Sequence, residues 1–148
     1  MSATEYFEQA RTSVRAKRSL EQRLNALVES EGVRAQSYTA SAHSSGTSDP
    51  MRRTDARMDF EPAAMAEIRA HDEEIGEART VLERFRRAEP AQVEGAVAVE
   101  FRYLLDLSWR EVAMRLGVSK RTAQWDAAEC LRTMDDYGIA RLQHGWQQ

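Results

Sequence analysis

The sequence predicts an all-α protein in which a long N-terminal helical hairpin is followed by a C-terminal helix-turn-helix module. Three observations predict it. Only 3 of the 148 residues are Pro and only 7 are Gly, so few positions interrupt a helix. Apolar residues recur at helical spacing in both halves of the chain. In the last third, capping and stop residues stand where two short helices would begin and end around a tight turn.

Composition limits the function classes. A chain of 148 residues suits one domain with a proper core, or a small module plus an arm, but not two large domains. The formal net charge of -3 provides no global basic field to hold nucleic acid or acidic lipid, so any DNA binding must come from a local patch. The single cysteine, Cys130, excludes an internal disulfide framework and a multi-thiolate zinc site, and a cytoplasmic location is expected. No apolar run approaches the roughly 20 residues of a membrane span, and Met1 to Ala10 lacks the layout of a signal peptide. His43, His71 and His144 have no His or Cys partner at ligand spacing, so neither metal nor cofactor is expected. There is no Gly-rich phosphate loop, Ser-His-Asp set or paired-carboxylate motif, which argues against an enzyme. The cluster Asp72-Glu73-Glu74 with Glu77 reads most simply as a solvated helix surface with Arg69 and Arg79 within reach for surface pairs, the alternative being a contact for a basic partner.

Residues 1–34 form the first arm. Between Thr4 and Glu31 there is no Gly or Pro, and Tyr6, Phe7, Ala10, Val14, Leu20, Leu24, Leu27 and Val28 make an amphipathic stripe, with Gly32 as its expected stop. Arg15, Lys17 and Arg18 interrupt the stripe, so the seam is not a clean heptad repeat. Residues 35–59 are rich in Ser, Thr, Ala, Gly and Asp, too poor in apolar surface to offset the entropy of ordering, and are expected to be a flexible loop. Residues 60–89 form the second arm, with Met65, Ile68, Ile75, Ala78, Leu82 and Phe85 as the stripe and Pro62 in the first turn. Two such helices most simply bury their stripes against each other as an antiparallel hairpin, completed by the C-terminal module or by a second copy of the chain.

Residues 90–148 carry the densest signals. Val93, Val97, Phe101, Leu104 and Leu105 fall at the spacing of a core helix. Ser108 followed three residues later by Glu111 is a capping box, and opens a helix that sends Val112, Ala113 and Leu116 inward before ending at Gly117. Ser119 can cap a further helix from Lys120 to about Asp136, stopped near Gly138. Small Ala113 where the axes approach, Gly117 at the break and Val118 in the corner complete a helix-turn-helix layout.

In such a unit the second helix lies in the major groove with its N-terminal residues facing base edges. Here these are Ser119, Lys120, Arg121, Thr122, Gln124 and Trp125, while Arg110 and Arg115 on the preceding helix can straddle the backbone. Lys120 and Arg121 suit phosphates or guanine, Gln124 suits adenine, and Thr122 suits a phosphate or a thymine methyl. From Ser108 to Trp125 these cations outnumber the single acid, Glu111, so the local field is positive.

Ser108-Trp109-Arg110-Glu111-Val112-Ala113 through Leu116-Gly117-Val118-Ser119-Lys120-Arg121-Thr122, preceded by Phe101-Arg102-Tyr103, resembles the signature of the phage ArpU/RinA-like late-transcription regulators. Those proteins carry a helix-turn-helix similar to region 4 of sigma-70 factors. The helix, Ser-rich loop and helix that come first also resemble the layout of a related phage family, but motif-level likeness is confined to Phe101 to Thr122. The resemblance implies promoter binding and activation of late phage genes, with no enzymatic activity. One departure matters: Asp126 stands where such recognition helices usually bury an aliphatic residue, and an unpaired buried carboxylate is costly. It either turns to the rim, pairs with Arg110 or Arg115, or marks different packing. Trp125 can face the DNA or fold back into the core. The lone Cys130 falls on the expected core face, where it acts as a small hydrophobe.

Two functions are expected in competition. One is a sequence-specific regulator that binds double-stranded DNA, its arm supplying a homodimer contact through the N-terminal helices or a contact with RNA polymerase. The other is an interaction or assembly protein, such as an anti-sigma-like partner or a small DNA-packaging subunit. Packaging subunits usually place the helix-turn-helix first, and here it comes last, which favours the regulator.

Overall fold

The computed structural model describes the backbone of residues 1–38 and 50–145, and the side chains of these except residues 33–38 and 50–57. Among the described residues there are six α-helices and no strand. They are α1 (Ala3–Tyr38), α2 (Pro50–Ala88), α3 (Val93–Val99), α4 (Trp109–Leu116), α5 (Lys120–Tyr137) and α6 (Ile139–His144). A 3-10 turn at Pro90–Gln92 leads into α3, and a π-helical turn at Glu100–Leu104 continues it. The all-α expectation holds.

The arm helices are longer than expected. α1 runs through Gly32 to Tyr38, and α2 begins at Pro50, so helix enters both flanks of the stretch read as loop. Gly32 is exposed, and an added Cβ there would meet nothing within 4 Å. A helical Gly costs only about 1 kcal/mol relative to Ala, which does not end a helix by itself. Pro62 stands inside α2 at an exposed position rather than in its first turn. The rest of the expected loop, residues 39–49, including His43 and Ser44 to Asp49, lies outside the described residues.

The chain divides into two compact units. One is Ala16–Ala70. There α1 and α2 run antiparallel, with Leu20, Ala64 and Ile68 buried together, Leu24 and Phe60 packed at their edge, and the Arg23 guanidinium 4.7 Å from the centre of the Phe60 ring.

The other unit comprises Met1–Arg15 and His71–Gln148. The start of α1, the end of α2 and α3 to α6 share one core around Phe7, Val81, Leu82, Phe85, Val99, Val112, Met134 and Leu142. Phe7 meets Tyr6 edge-on at 5.3 Å, and Phe85 meets Tyr137 edge-on at 6.0 Å. The first turn of α1 is closed by a capping box that the sequence reading missed. The Ser2 Oγ accepts from the Glu5 N–H (3.1 Å), and the Ser2 N–H donates to Glu5 Oε2 (2.8 Å). The Ala3 N–H also donates to Asp135 Oδ1 at 2.6 Å, so α5 caps α1. Buried Ser13 donates to Glu74, which withdraws one member of the acidic cluster from purely solvated duty.

The buried register of α3 differs from the expected stripe. Val93 is 48% exposed and Val97 only half-buried, whereas Gly95, Ala96, Ala98 and Val99 are buried. The reason is close packing: Gly95 brings the α3 backbone directly onto α5, and the faces on either side follow from that approach. Within the π-helical turn Tyr103 and Leu104 are buried, while Leu105, counted with the core from its spacing, is 38% exposed. Met65 likewise leaves the α2 stripe at 39% exposure, and Val28 leaves that of α1 at 51%.

Candidate nucleic-acid interface

The helix-turn-helix forms from short-range rules. Ser108 has extended backbone and accepts from the Glu111 N–H (3.2 Å), while its own N–H donates to Glu111 Oε2 (2.9 Å), the expected capping box. α4 ends at Gly117, whose φ of 67° lies in the left-handed region. The Gly117 N–H donates to the Met114 carbonyl and the Val118 N–H to the Ala113 carbonyl, the bonding of a Schellman stop. Ser119 then caps α5, accepting from the Thr122 N–H at 3.1 Å. Val112 and Ala113 face inward, Leu116 and Val118 pack partly buried against the core, and Leu131 closes it from α5.

Burial separates the faces of α5. Ala123, Ala127, Cys130, Leu131 and Met134 are buried, and Lys120, Arg121, Thr122, Gln124 and Trp125 are exposed. Trp125 is 61% exposed, so of its two open orientations the outward one is found. Asp126 is half-buried at the rim, its main chain lying against Gly95. Ser119, Arg110 and Arg115 are exposed as well. All eight residues singled out by sequence therefore lie on accessible surface of one helix pair and its turn.

Their chemical freedom differs. The Ser119 hydroxyl is engaged twice, accepting from the Thr122 N–H and donating to Thr122 Oγ1 at 2.8 Å, so its work is capping. Thr122 retains its own hydroxyl proton for an outside acceptor. The Arg115 guanidinium lies 5.9 Å from the Phe101 ring centre, which orients it without neutralising it. Trp109 supports α4 from below. It is half-buried, with the Arg102 guanidinium 5.0 Å from its ring centre, while Arg102 Nη1 donates to the Leu107 carbonyl at 3.1 Å.

Arg132 was missed by the sequence reading. It is exposed, and with Arg121, Trp125 and Ala128 it occupies positions i, i+4, i+7 and i+11 of α5, one face of the helix. Gln124, Ala128 and Arg132 also border a shallow groove of about 330 Å³, floored by Tyr103, Trp109, Ala127 and Leu131.

The segment before α4 is fixed from α1. Asp106 has a φ of 53°, a left-handed conformation uncommon outside Gly, and its side chain is 6% exposed. Arg11 Nε donates to its Oδ1 at 2.7 Å, and Arg15 Nε bonds both carboxylate oxygens at 3.1 Å. Burial disfavours the carboxylate charge, but the bonds from Arg11 and Arg15 outweigh it and hold the carboxyl below its ordinary range. Burial, against a weaker opposing pull from Arg86, pushes the Cys130 thiol up to about 12.

Among the described residues no group of three or more His, Cys, Asp or Glu side chains is placed to hold a metal ion, and no helix is long and apolar enough to cross a membrane. Compared with protein-family models, curated proteins and solved structures, the chain matches none of them.

Proposed function

We propose that the protein is a sequence-specific DNA-binding transcriptional regulator of phage or prophage type that reads duplex DNA with α4 and α5. The observation that carries the proposal is the division of α5: Ala123 and Ala127 hold it to the core, and Lys120, Arg121, Gln124 and Trp125 point to solvent. Among the described residues the side chains of its N-terminal turn are exposed, as entry into a major groove requires. Arg121 and Gln124 are the base-reading pair, suited to guanine and adenine edges. Lys120, Arg110, Arg115 and Thr122 take phosphates and set register. The role is binding rather than catalysis, and RNA polymerase is the second partner such a regulator engages at a promoter.

Exposed Met114 (73%) and Trp125 are the features that favour the rival reading, a docking surface for another protein. Selection of bound fragments from a random duplex pool separates the two. The regulator enriches a defined motif that survives competition with non-specific DNA; recovery of unselected sequence contradicts the proposal.

A further inference from the structure

Within the unit that holds the main core, a pocket of about 250 Å³ opens between the start of α1, the end of α2 and α6, and shares no residue with α4 or α5. It is smaller than the roughly 300–1,000 Å³ of sites for drug-sized ligands, so it suits a group the size of one side chain. Tyr6, on its wall, is 9% exposed, and the Tyr6 hydroxyl oxygen is buried with no hydrogen-bond partner among the described residues. A buried hydroxyl left unsatisfied is costly, and the cost is recovered only when a partner arrives. Burial first and the Glu77 charge second raise the Tyr6 phenol above its ordinary range, against a weaker pull from Gln143, so the phenol keeps its proton at neutral pH. Glu74 and Glu77 stand three residues apart on α2 and share one face of it. Each is engaged by a neutral donor: the Ser13 hydroxyl donates to Glu74 Oε2, and Gln143 Nε2 donates to Glu77 Oε1 at 3.2 Å. No cation among the described residues pairs with either carboxylate. Arg84, seven residues beyond Glu77, gives its Nη1 to the Leu142 and Gln143 carbonyls instead.

We propose that this pocket binds an organic cation, a guanidinium or primary ammonium group on a short alkyl stem, with Glu74 Oε1, Glu77 Oε2 and the Tyr6 hydroxyl oxygen as its acceptors. The charge selects the ligand class. Guanidinium and ammonium groups carry donors and no acceptor, which matches a lining whose open positions are acceptors, whereas an anion would meet two carboxylates. The Tyr6 oxygen is closed to water, so the cation reaches it by turning aside Gln143 or Met1, long side chains that also line the pocket. Turning Gln143 aside releases Glu77 Oε1 as a further acceptor. The stem then lies along Ala10 and Met1. Two sources carry this chemistry: a free alkylamine or alkylguanidine, and a Lys or Arg side chain of another protein.

The test is titration of the full chain, without DNA, with agmatine and with an end-capped Gly-Arg-Gly peptide, followed through the nuclear magnetic resonance shifts of Tyr6, Glu74 and Glu77. Saturable shifts with agmatine are expected. Saturation by the peptide as well assigns the pocket to a protein side chain, and saturation by agmatine alone assigns it to a free cation. Glu74→Gln/Glu77→Gln should weaken agmatine binding by about tenfold or more, and Tyr6→Phe, which keeps the ring against Phe7, by about threefold to tenfold. Without ligand, Tyr6→Phe should raise the denaturant midpoint, because it removes an unpartnered buried hydroxyl. Shifts that never saturate, equal shifts with butyrate, or affinity unchanged in both variants would each overturn the proposal, as would a Tyr6→Phe chain less stable than wild type. The DNA reading stands or falls separately, since no duplex is present.

Discussion

Gly95 and Cys130 approach so closely that α3 and α5 leave no room for a side chain between them. A Cβ at Gly95 would lie 2.9 Å from the Cys130 Cβ and 2.6 Å from the Asp126 carbonyl oxygen. The helix carrying the candidate reading face is thus seated by a residue that contributes no side chain. Gly95→Ala should gain up to about 1 kcal/mol in helix propensity and lose about 1–3 kcal/mol to overpacking, because main chain rather than a flexible tip must move. The expected net result is destabilisation, read from the denaturant midpoint. A variant more stable than wild type would mean the helices part without cost.

Asp106 should be held by its charge rather than its backbone preference. Asp106→Asn tolerates the left-handed conformation equally well and keeps the shape, so its loss of stability, about 2 kcal/mol at neutral pH, isolates the ionic bonds to Arg11 and Arg15. Because the folded carboxyl titrates below its unfolded value, this contribution is complete above the unfolded pKa of about 3.9 and fades as pH falls toward the lower folded value. Paired denaturation curves should converge below about pH 4. Curves that stay equally separated there would assign the effect to shape.

The turn should respond to backbone geometry alone. An added Cβ at Gly117 meets nothing within 4 Å, yet its φ is 67°. Gly117→Ala is therefore expected to cost about 1 kcal/mol and Gly117→Asn less. Ser108→Ala should cost about 1 kcal/mol through the lost cap. Thermal unfolding checks all three, and an Ala variant as stable as the Asn variant would speak against the left-handed stop.

Cys130 should be silent in the native protein. Its thiol is buried and pushed up to about 12, so a thiol reagent at pH 8 should find no reactive group until denaturant is added. Rapid native labelling would place Cys130 at the surface.

What was legible in the sequence follows from range. Ser108 with Glu111, Gly117 and Ser119 act on neighbours within about one turn, so the helix-turn-helix and its exposed residues could be read directly. The pairing of Arg11 with Asp106 spans 95 positions and carries no local pattern. The register of α3 escaped because periodicity weighs apolar side chains, while here Gly95 makes the tightest contact. α6 escaped because it is short and closed from outside: Arg84 Nη1 donates to the Leu142 carbonyl at 2.7 Å and also to the Gln143 carbonyl. Gly32 did not stop α1 because a helical Gly costs only about 1 kcal/mol relative to Ala, and Pro62 lies inside α2 rather than in its first turn because the helix already begins at Pro50.

The most direct measurement is the salt dependence of binding to the selected duplex, for wild type and for Lys120→Ala/Arg121→Ala. Each phosphate neutralised contributes about 0.9 to the slope of log affinity against log salt. The double variant should bind more weakly with a slope shallower by about 1 to 2 and helicity unchanged. Affinity and slope equal to wild type would remove the start of α5 from any DNA interface and contradict the account.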